Sequence, residues 1–142
     1  MSERTFIMLK PETVARGLVG KILERIEDRG FSIVGLKILK LTQEQAEELY
    51  RMHEKKPFFN ELIHHVTSGP VIVMVVEGLR VIEAMRKISG STNPLEAEAG
   101  SIRGNYGLTI TKNIIHSADG PENAKREIDL FFRLEEIVSF KA

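Results

Sequence analysis

Apolar residues recur along the chain with two different periods. Thr5 to Leu9 is a short β-type run that stops at Lys10-Pro11, because proline cannot continue a central ladder. Val14, Leu18, Ile22 and Ile26 then follow at helical spacing, and Arg29-Gly30 supplies a basic last turn and a C-cap glycine. Phe31 to Leu41, rich in Ile, Val and Leu, predicts a second strand. Thr42-Gln43-Glu44-Gln45 is a capping box and opens a helix running to about Met52. Pro57 starts another helical stretch, Phe58 to Val66, closed by Ser68-Gly69-Pro70. Val71 to Val76 is continuously apolar and predicts a strand buried on both faces. Leu79 to Ile88 reads as a helix, Leu108 to Thr111 as a last strand, and Pro121 to about Leu134 as the final helix. Between Ser89 and Gly107 no period is clear; a loop of this length inside a compact domain points to function.

The predicted order is β-α-β-α-α-β-α-loop-β-α. It implies an α+β fold: a ferredoxin-like split β-α-β sandwich, with a four-stranded antiparallel sheet covered by helices. No repeat, low-complexity tract or linker interrupts it, so residues 1–142 read as a single domain.

Composition narrows the function. Of 142 residues, 42% are hydrophobic and 28% charged, which is globular rather than disordered composition. Lys plus Arg and Asp plus Glu each total 20, and a net charge of zero argues against a dedicated nucleic-acid or anionic-membrane binder. Cysteine is absent, which excludes disulfides, thiol catalysis and cysteine zinc sites. The polar start Met-Ser-Glu-Arg-Thr lacks a signal-peptide build, and no apolar run is long enough to span a bilayer. A cytoplasmic protein is expected.

Glycine-loop, dinucleotide, zincin and nucleophile-elbow motifs are all missing. Of the four histidines, His53 reads as a solvated helix residue among charges. His64 and His65 are adjacent on a helix, diverge by about 100° and read as structural rather than as a metal pair. His116 differs. It is expected in the turn between the last strand and the last helix, a place where side chains stand beside an anion-favouring helix N-terminus. In that last helix Ala124, Ile128 and Phe131 make an apolar stripe, and Glu127 lies on the same face. A carboxylate there is costly unless paired; either a lysine pairs it at the rim of the stripe, or an imidazole does, which would leave the other ring nitrogen free to attack. Lys10, Arg86 and Arg103, with Thr92, read singly as solvated surface groups and together as candidate phosphate ligands. Phe58 and Phe59 read first as core packing, and the one left partly exposed could stack on a nucleobase.

Together these residues resemble the nucleoside diphosphate kinase family over essentially the whole chain. Arg4-Thr-Phe-Ile-Met-Leu-Lys10-Pro11 resembles its opening strand and lysine, and Arg16-Gly-Leu-Val-Gly20 its first helix. Ser101-Ile-Arg103-Gly104 resembles its substrate loop, and Asn113-Ile-Ile-His116 followed by Asp119 its active-site signature. The resemblance implies transfer of the γ-phosphate of a nucleoside triphosphate to a nucleoside diphosphate. The route it implies is ping-pong through a phosphohistidine, with Mg2+ held mainly by the nucleotide phosphates and not directly by protein. It implies His116 as nucleophile, Glu127 as the orienting carboxylate and Tyr50 close by. Lys10 and Asn113 would contact the sugar and its phosphate, and Arg86, Thr92 and Arg103 the phosphates. Phe58 would stack on the base, with Leu62 and Ile110 completing an apolar slot.

Two departures stand out. The family usually reads His-Gly/Ala-Ser-Asp, whereas here the order is His116-Ser117-Ala118-Asp119. Reduced but real activity is expected, and restoring the order should raise turnover. Asn105 stands where the family often has aspartate. The chain ends at Ala142, without the longer tail of many animal members. Family members assemble as hexamers or tetramers through contacts that include the loop around Pro94, and a homo-oligomer, hexamer rather than tetramer, is expected. The competing readings are a catalytically weakened nucleotide-binding relative with a regulatory role, and a single-stranded nucleic-acid binder. The second conflicts with 6% aromatics and zero net charge.

Overall fold

A computed structural model describes residues 2–139; Met1 and residues 140–142 of the expected 1–142 domain lie outside it. The strands are β1 (Ser2–Leu9), β2 (Ser32–Leu39), β3 (Val71–Leu79) and β4 (Ile115–Ser117). They form one sheet in the order β2-β3-β1-β4, antiparallel at every junction. β1 and β2 therefore run the same way with β3 between them, and β3 and β4 do so around β1. That is the split β-α-β arrangement of a ferredoxin-like α+β fold.

Apolar runs without polar alternation require cover on both faces, and the helices provide it. Phe6, Met8, Val71, Val73 and Val75 point to one side. There they meet α3 (Gln43–Leu49), α4 (Phe59–Val66) and α7 (Pro121–Phe131). Ile7, Leu9, Ile72, Met74 and Val76 point to the other, against α2 (Val19–Asp28) and α5 (Val81–Ser89). Ile22 and Ile26 on α2 are fully buried, so truncating either to alanine would cost about 2–5 kcal/mol.

The structure corrects several boundaries. The helix read from Val14 is two pieces, α1 (Pro11–Ala15) and α2, parted by Gly17 at φ +66°. β3 runs on to Leu79 through Gly78, where any Cβ would collide with the Phe31 ring, so the following helix starts only at Val81. The helix expected to reach Met52 ends at Leu49, with a 3₁₀ turn at Arg51–His53, and the last helix stops at Phe131. The 89–107 stretch contains a short helix, α6 (Ile102–Tyr106), capped by Ser101.

The largest correction concerns the fourth strand. Leu108 to Thr111 is not a strand; their apolar side chains Leu108 and Ile110 are solvent-facing. The strand is the three-residue Ile115–Ser117, so His116 stands within the sheet and not in a turn beyond it.

Candidate active site

Ladder register aims His116. It lies directly opposite Met8, and directly opposed residues share a face of the sheet. The imidazole therefore joins the side of Phe6 and Tyr50, with ring centroids 6.0 and 5.2 Å away. The α7 stripe brings Glu127 to the same side, where it is 1% exposed. Its Oε1 accepts a hydrogen bond from His116 Nε2 at 2.8 Å, and the Arg126 guanidinium lies 3.6 Å from Oε2. An ionised carboxylate only accepts, so the ring proton resides on Nε2 and Nδ1 keeps its lone pair. A neutral imidazole held this way can act as a nucleophile.

Lys10 follows β1 and is buried. Its Nζ donates to Asn113 Oδ1 at 2.7 Å and to the Thr111 carbonyl at 3.2 Å, and stands 6.0 Å over the Tyr50 ring. Burial pulls its pKa down to about 7; the Glu12 carboxylate opposes that pull and Arg103 adds to it. Asn113 Nδ2 in turn donates to the Thr92 carbonyl at 2.8 Å, tying the lysine to the loop after α5.

Arg103, expected in a loop, is carried by α6. Its two terminal nitrogens donate to the carbonyls of Gly90 (2.7 Å) and Ile115 (2.6 Å), while its buried Nε has no partner among the described residues. Burial lowers its pKa to about 10, countered by Tyr50 and reinforced by Arg86, so it stays charged at neutral pH. The Tyr50 hydroxyl is also buried and unpartnered among the described residues, and burial raises its pKa, so it remains protonated.

These groups surround a cleft of about 480 Å³. Lys10, Tyr50, Arg86, Thr92 and Arg103 line it together with Asn113, His116 and Glu127. Phe58, Leu62 and Ile110 line it as well. Arg86 and Thr92 are exposed, Leu62 is buried, and Phe58 and Phe59 are both half-buried against the α4 side of the core. A smaller polar cleft of about 280 Å³, lined by Arg86, Ser89, Thr92, Arg103 and Ser117, adjoins this region. The whole expected set is thus brought to one place.

His53 also lines the cleft, against the expectation of a solvated helix residue. Its ring lies 5.5 Å from that of Phe58, and Lys56 Nζ sits 5.8 Å from the Phe58 ring centroid. Burial, then the Lys56 charge, lowers the His53 pKa. Nothing in a charged run such as Arg-Met-His-Glu-Lys-Lys signals this; only the 3₁₀ turn after Tyr50 brings it in. Glu12 and His65 were missed as a pair: His65 Nε2 donates to Glu12 Oε1 at 2.6 Å. Burial pushes the Glu12 carboxyl up, but hydrogen bonds from His65 and the Ile114 N–H outweigh it and hold the pKa below its ordinary value.

The departures also acquire a physical form. Ser117 alternates to the α5 side, where its hydroxyl shares a 2.7 Å hydrogen bond with Ser89. Ala118 is fully buried in the cluster on the His116 side. The two positions therefore point to opposite faces, and a hydroxyl at one does not replace a hydroxyl at the other. Asn105 Oδ1 accepts the Gly100 N–H at 3.1 Å, a bond that an aspartate would also accept.

The family model described as nucleoside diphosphate kinase matches residues 3–137. The chain belongs to the nucleoside diphosphate kinase family. A nucleoside diphosphate kinase of Thermosipho melanesiensis is 56% identical over 97% of this chain and 94% of its own length. That of Carboxydothermus hydrogenoformans is 53% identical over 98% and 93%. Among solved structures, a halophilic nucleoside diphosphate kinase of Halobacterium salinarum in complex with CDP superposes with a TM-score of 0.95. It is 42% identical and covers 100% of this chain and 95% of its own. The Aquifex aeolicus nucleoside diphosphate kinase gives a TM-score of 0.92 at 41% identity, over 97% and 100%.

Proposed function

We propose that this enzyme moves the γ-phosphoryl group of a nucleoside triphosphate, typically ATP, onto a nucleoside diphosphate in two half-reactions through a phosphohistidine on His116. Nucleoside diphosphate kinase activity follows from the family. The observation that carries it is the His116–Glu127 pair, which leaves Nδ1 with a lone pair at the cleft wall.

In the first half-reaction Nδ1 attacks the γ-phosphorus. The Nδ1–P bond forms, the bond from phosphorus to the β,γ-bridging oxygen breaks, and the nucleoside diphosphate leaves. Glu127 stabilises the imidazolium character that the ring gains. The second half-reaction reverses these bonds with a different diphosphate as acceptor. Phosphoryl transfer needs mainly positioning and charge stabilisation. Lys10, Arg86, Thr92 and Arg103 provide them around the phosphates, and the orphaned Arg103 Nε and Tyr50 hydroxyl are donors in want of acceptors. Lys10 and Asn113 reach the sugar. Phe58 stacks on the base between Leu62 and Ile110, which reads π-face rather than base edge and implies broad specificity.

Among the described residues no three His, Asp or Glu side chains gather as a metal cage. The donor set suits Mg2+ carried mainly on the nucleotide phosphates, where it would neutralise their charge; Mg2+ prefers such sites to all-protein cages.

The chain works as a single domain in the cytoplasm, with nucleoside di- and triphosphates as partners and without a stable nucleic-acid or membrane partner. No helix among the described residues is long and apolar enough to cross a membrane. It assembles as a homo-oligomer, hexamer rather than tetramer; the edge strand β2 supports this by leaving Leu36 and Ile38 exposed. No observation favours the catalytically weakened relative.

Initial rates at several fixed concentrations of each nucleotide test the route. Parallel double-reciprocal lines are expected. Intersecting lines would require both nucleotides bound at once and would overturn it.

A further inference from the structure

Ile114, between Asn113 and the Ile115-His116 strand, has φ +81°, and Ile115 N–H donates back to the Asn113 carbonyl at 3.0 Å. That is a γ-turn in its strained, left-handed form. A β-branched side chain disfavours this conformation most, and among the described residues no other β-branched one has φ in the left-handed region. Such strain persists only where the surroundings over-determine it.

The surroundings come from the segment after β1. Glu12 Oε2 accepts the Ile114 N–H at 2.9 Å. Thr13 Oγ1 donates to the Ile114 carbonyl at 2.7 Å, and the Lys10 N–H donates to the same carbonyl at 2.9 Å. The second oxygen of Glu12 is held by His65 from α4 at 2.6 Å. Glu12 and Thr13 are both buried. The turn so gripped has site residues on both sides. Asn113 holds Lys10 Nζ and Thr92, and the Ile115 carbonyl receives Arg103.

We infer that Glu12, oriented by His65 and aided by Thr13, is a positioning residue: it clamps the Ile114 γ-turn and so sets Asn113 and His116 against the nucleotide. None of the three needs to touch substrate. Their work is to keep a backbone conformation that isoleucine would otherwise leave, and to link α1 and α4 to the strand carrying the histidine. This inference rests on His116 as the phosphoryl acceptor.

The test compares Glu12→Leu, Glu12→Gln and Thr13→Val with wild type by thermal midpoint, by kcat and KM with ATP and dTDP, and by labelling from γ-labelled ATP. Leucine removes both acceptors. Glutamine keeps an oxygen for the Ile114 N–H and turns its amide to His65, whose ring can switch tautomer to accept it. Glu12→Leu is expected to lower kcat/KM at least tenfold, with KM for ATP rising at least fivefold as Asn113 and Lys10 lose their places. Glu12→Gln is expected to recover at least a third of wild-type kcat/KM. A folded Glu12→Leu enzyme within threefold of wild type would overturn the inference. So would a Glu12→Gln enzyme as impaired as Glu12→Leu, because the effect would then belong to the carboxylate charge near Lys10. If Glu12→Leu does not fold, the near-isosteric Thr13→Val decides: a fivefold or greater loss at an unchanged midpoint supports the clamp, and wild-type kinetics contradict it. Labelling of a His116→Asn enzyme is read separately. Label retained there would overturn the phosphohistidine reading whatever Glu12 does.

Discussion

His116 Nε2 and Glu127 Oε1 lie 2.8 Å apart, with the carboxylate almost wholly buried beneath the ring. A hydrogen bond to a charged group is worth about 1.5–3 kcal/mol, and each 1.4 kcal/mol is about tenfold in rate. Glu127→Ala removes the acceptor and leaves Nε2–H unpartnered. It is expected to lower kcat by about 10- to 150-fold, with KM for the nucleotide changed far less, since Glu127 orients the ring and does not hold phosphate. Steady-state kinetics of the folded variant check this; a loss confined to KM would contradict it.

Lys10 gives the cleft a pH dependence. Its pKa of about 7 in the folded protein lies below the ordinary lysine value of 10.5. Between those values the unfolded chain binds more protons, so this group makes stability rise with pH across that window; its contribution is most unfavourable below pH 7. Nucleotide phosphates reverse the balance by favouring the charged form. Binding of ADP at pH 8 is therefore expected to take up protons, up to about one per site, and affinity is expected to fall as pH rises through 7. Calorimetry in two buffers of different ionisation enthalpy measures the uptake, and identical apparent enthalpies in both would contradict it.

The Ser89–Ser117 bond predicts a coupling between α5 and β4. Both hydroxyls are buried, so removing one strands the other at a cost of about 1–3 kcal/mol, or about 3–10 °C in midpoint for a domain of this size. Ser117→Ala is expected to show that loss, and Ser89→Ala with Ser117→Ala much less than the sum of the singles. Thermal melts of the three variants close the cycle; strictly additive shifts would contradict the bond. The exchange of Ser117 and Ala118 is then best made with Ser89→Ala, where it is expected to raise turnover without the stability penalty.

Phe58 tests how the base is held. Stacking contributes about 1–3 kcal/mol per base and reads no edge. Phe58→Ala is expected to raise KM about 5- to 150-fold by nearly the same factor for ADP, GDP and CDP. A penalty confined to one base would contradict stacking.

Much of this was legible along the chain, for reasons tied to particular residues. The unbroken apolar run from Val71 to Val76 could only be a strand covered on both faces, and Thr42-Gln43-Glu44-Gln45 forms the capping box it spells, with Gln45 bonded back to Thr42. Glu127 on the stripe of Ala124, Ile128 and Phe131 announced a buried partner for His116, and all four are buried. What escaped was decided by tertiary context. A three-residue strand such as Ile115–Ser117 has too few positions for a period, whereas the alternation from Leu108 to Thr111 belongs to a loop that leaves Leu108 exposed and Ile110 at the open rim of the cleft. The Glu12–His65 pair joins groups far apart in sequence, and His53 enters the cleft only through the irregular turn after Tyr50, so no periodic spacing encodes either.

The whole reaction turns on His116 carrying the phosphoryl group. The most direct measurement mixes the protein with γ-labelled ATP and magnesium, without acceptor, and follows the label on protein. Label that is acid-labile, stable in alkali, transferable to added GDP and absent from His116→Ala is the predicted result. No label on a protein that still binds ATP, or label that persists in His116→Ala, would contradict it.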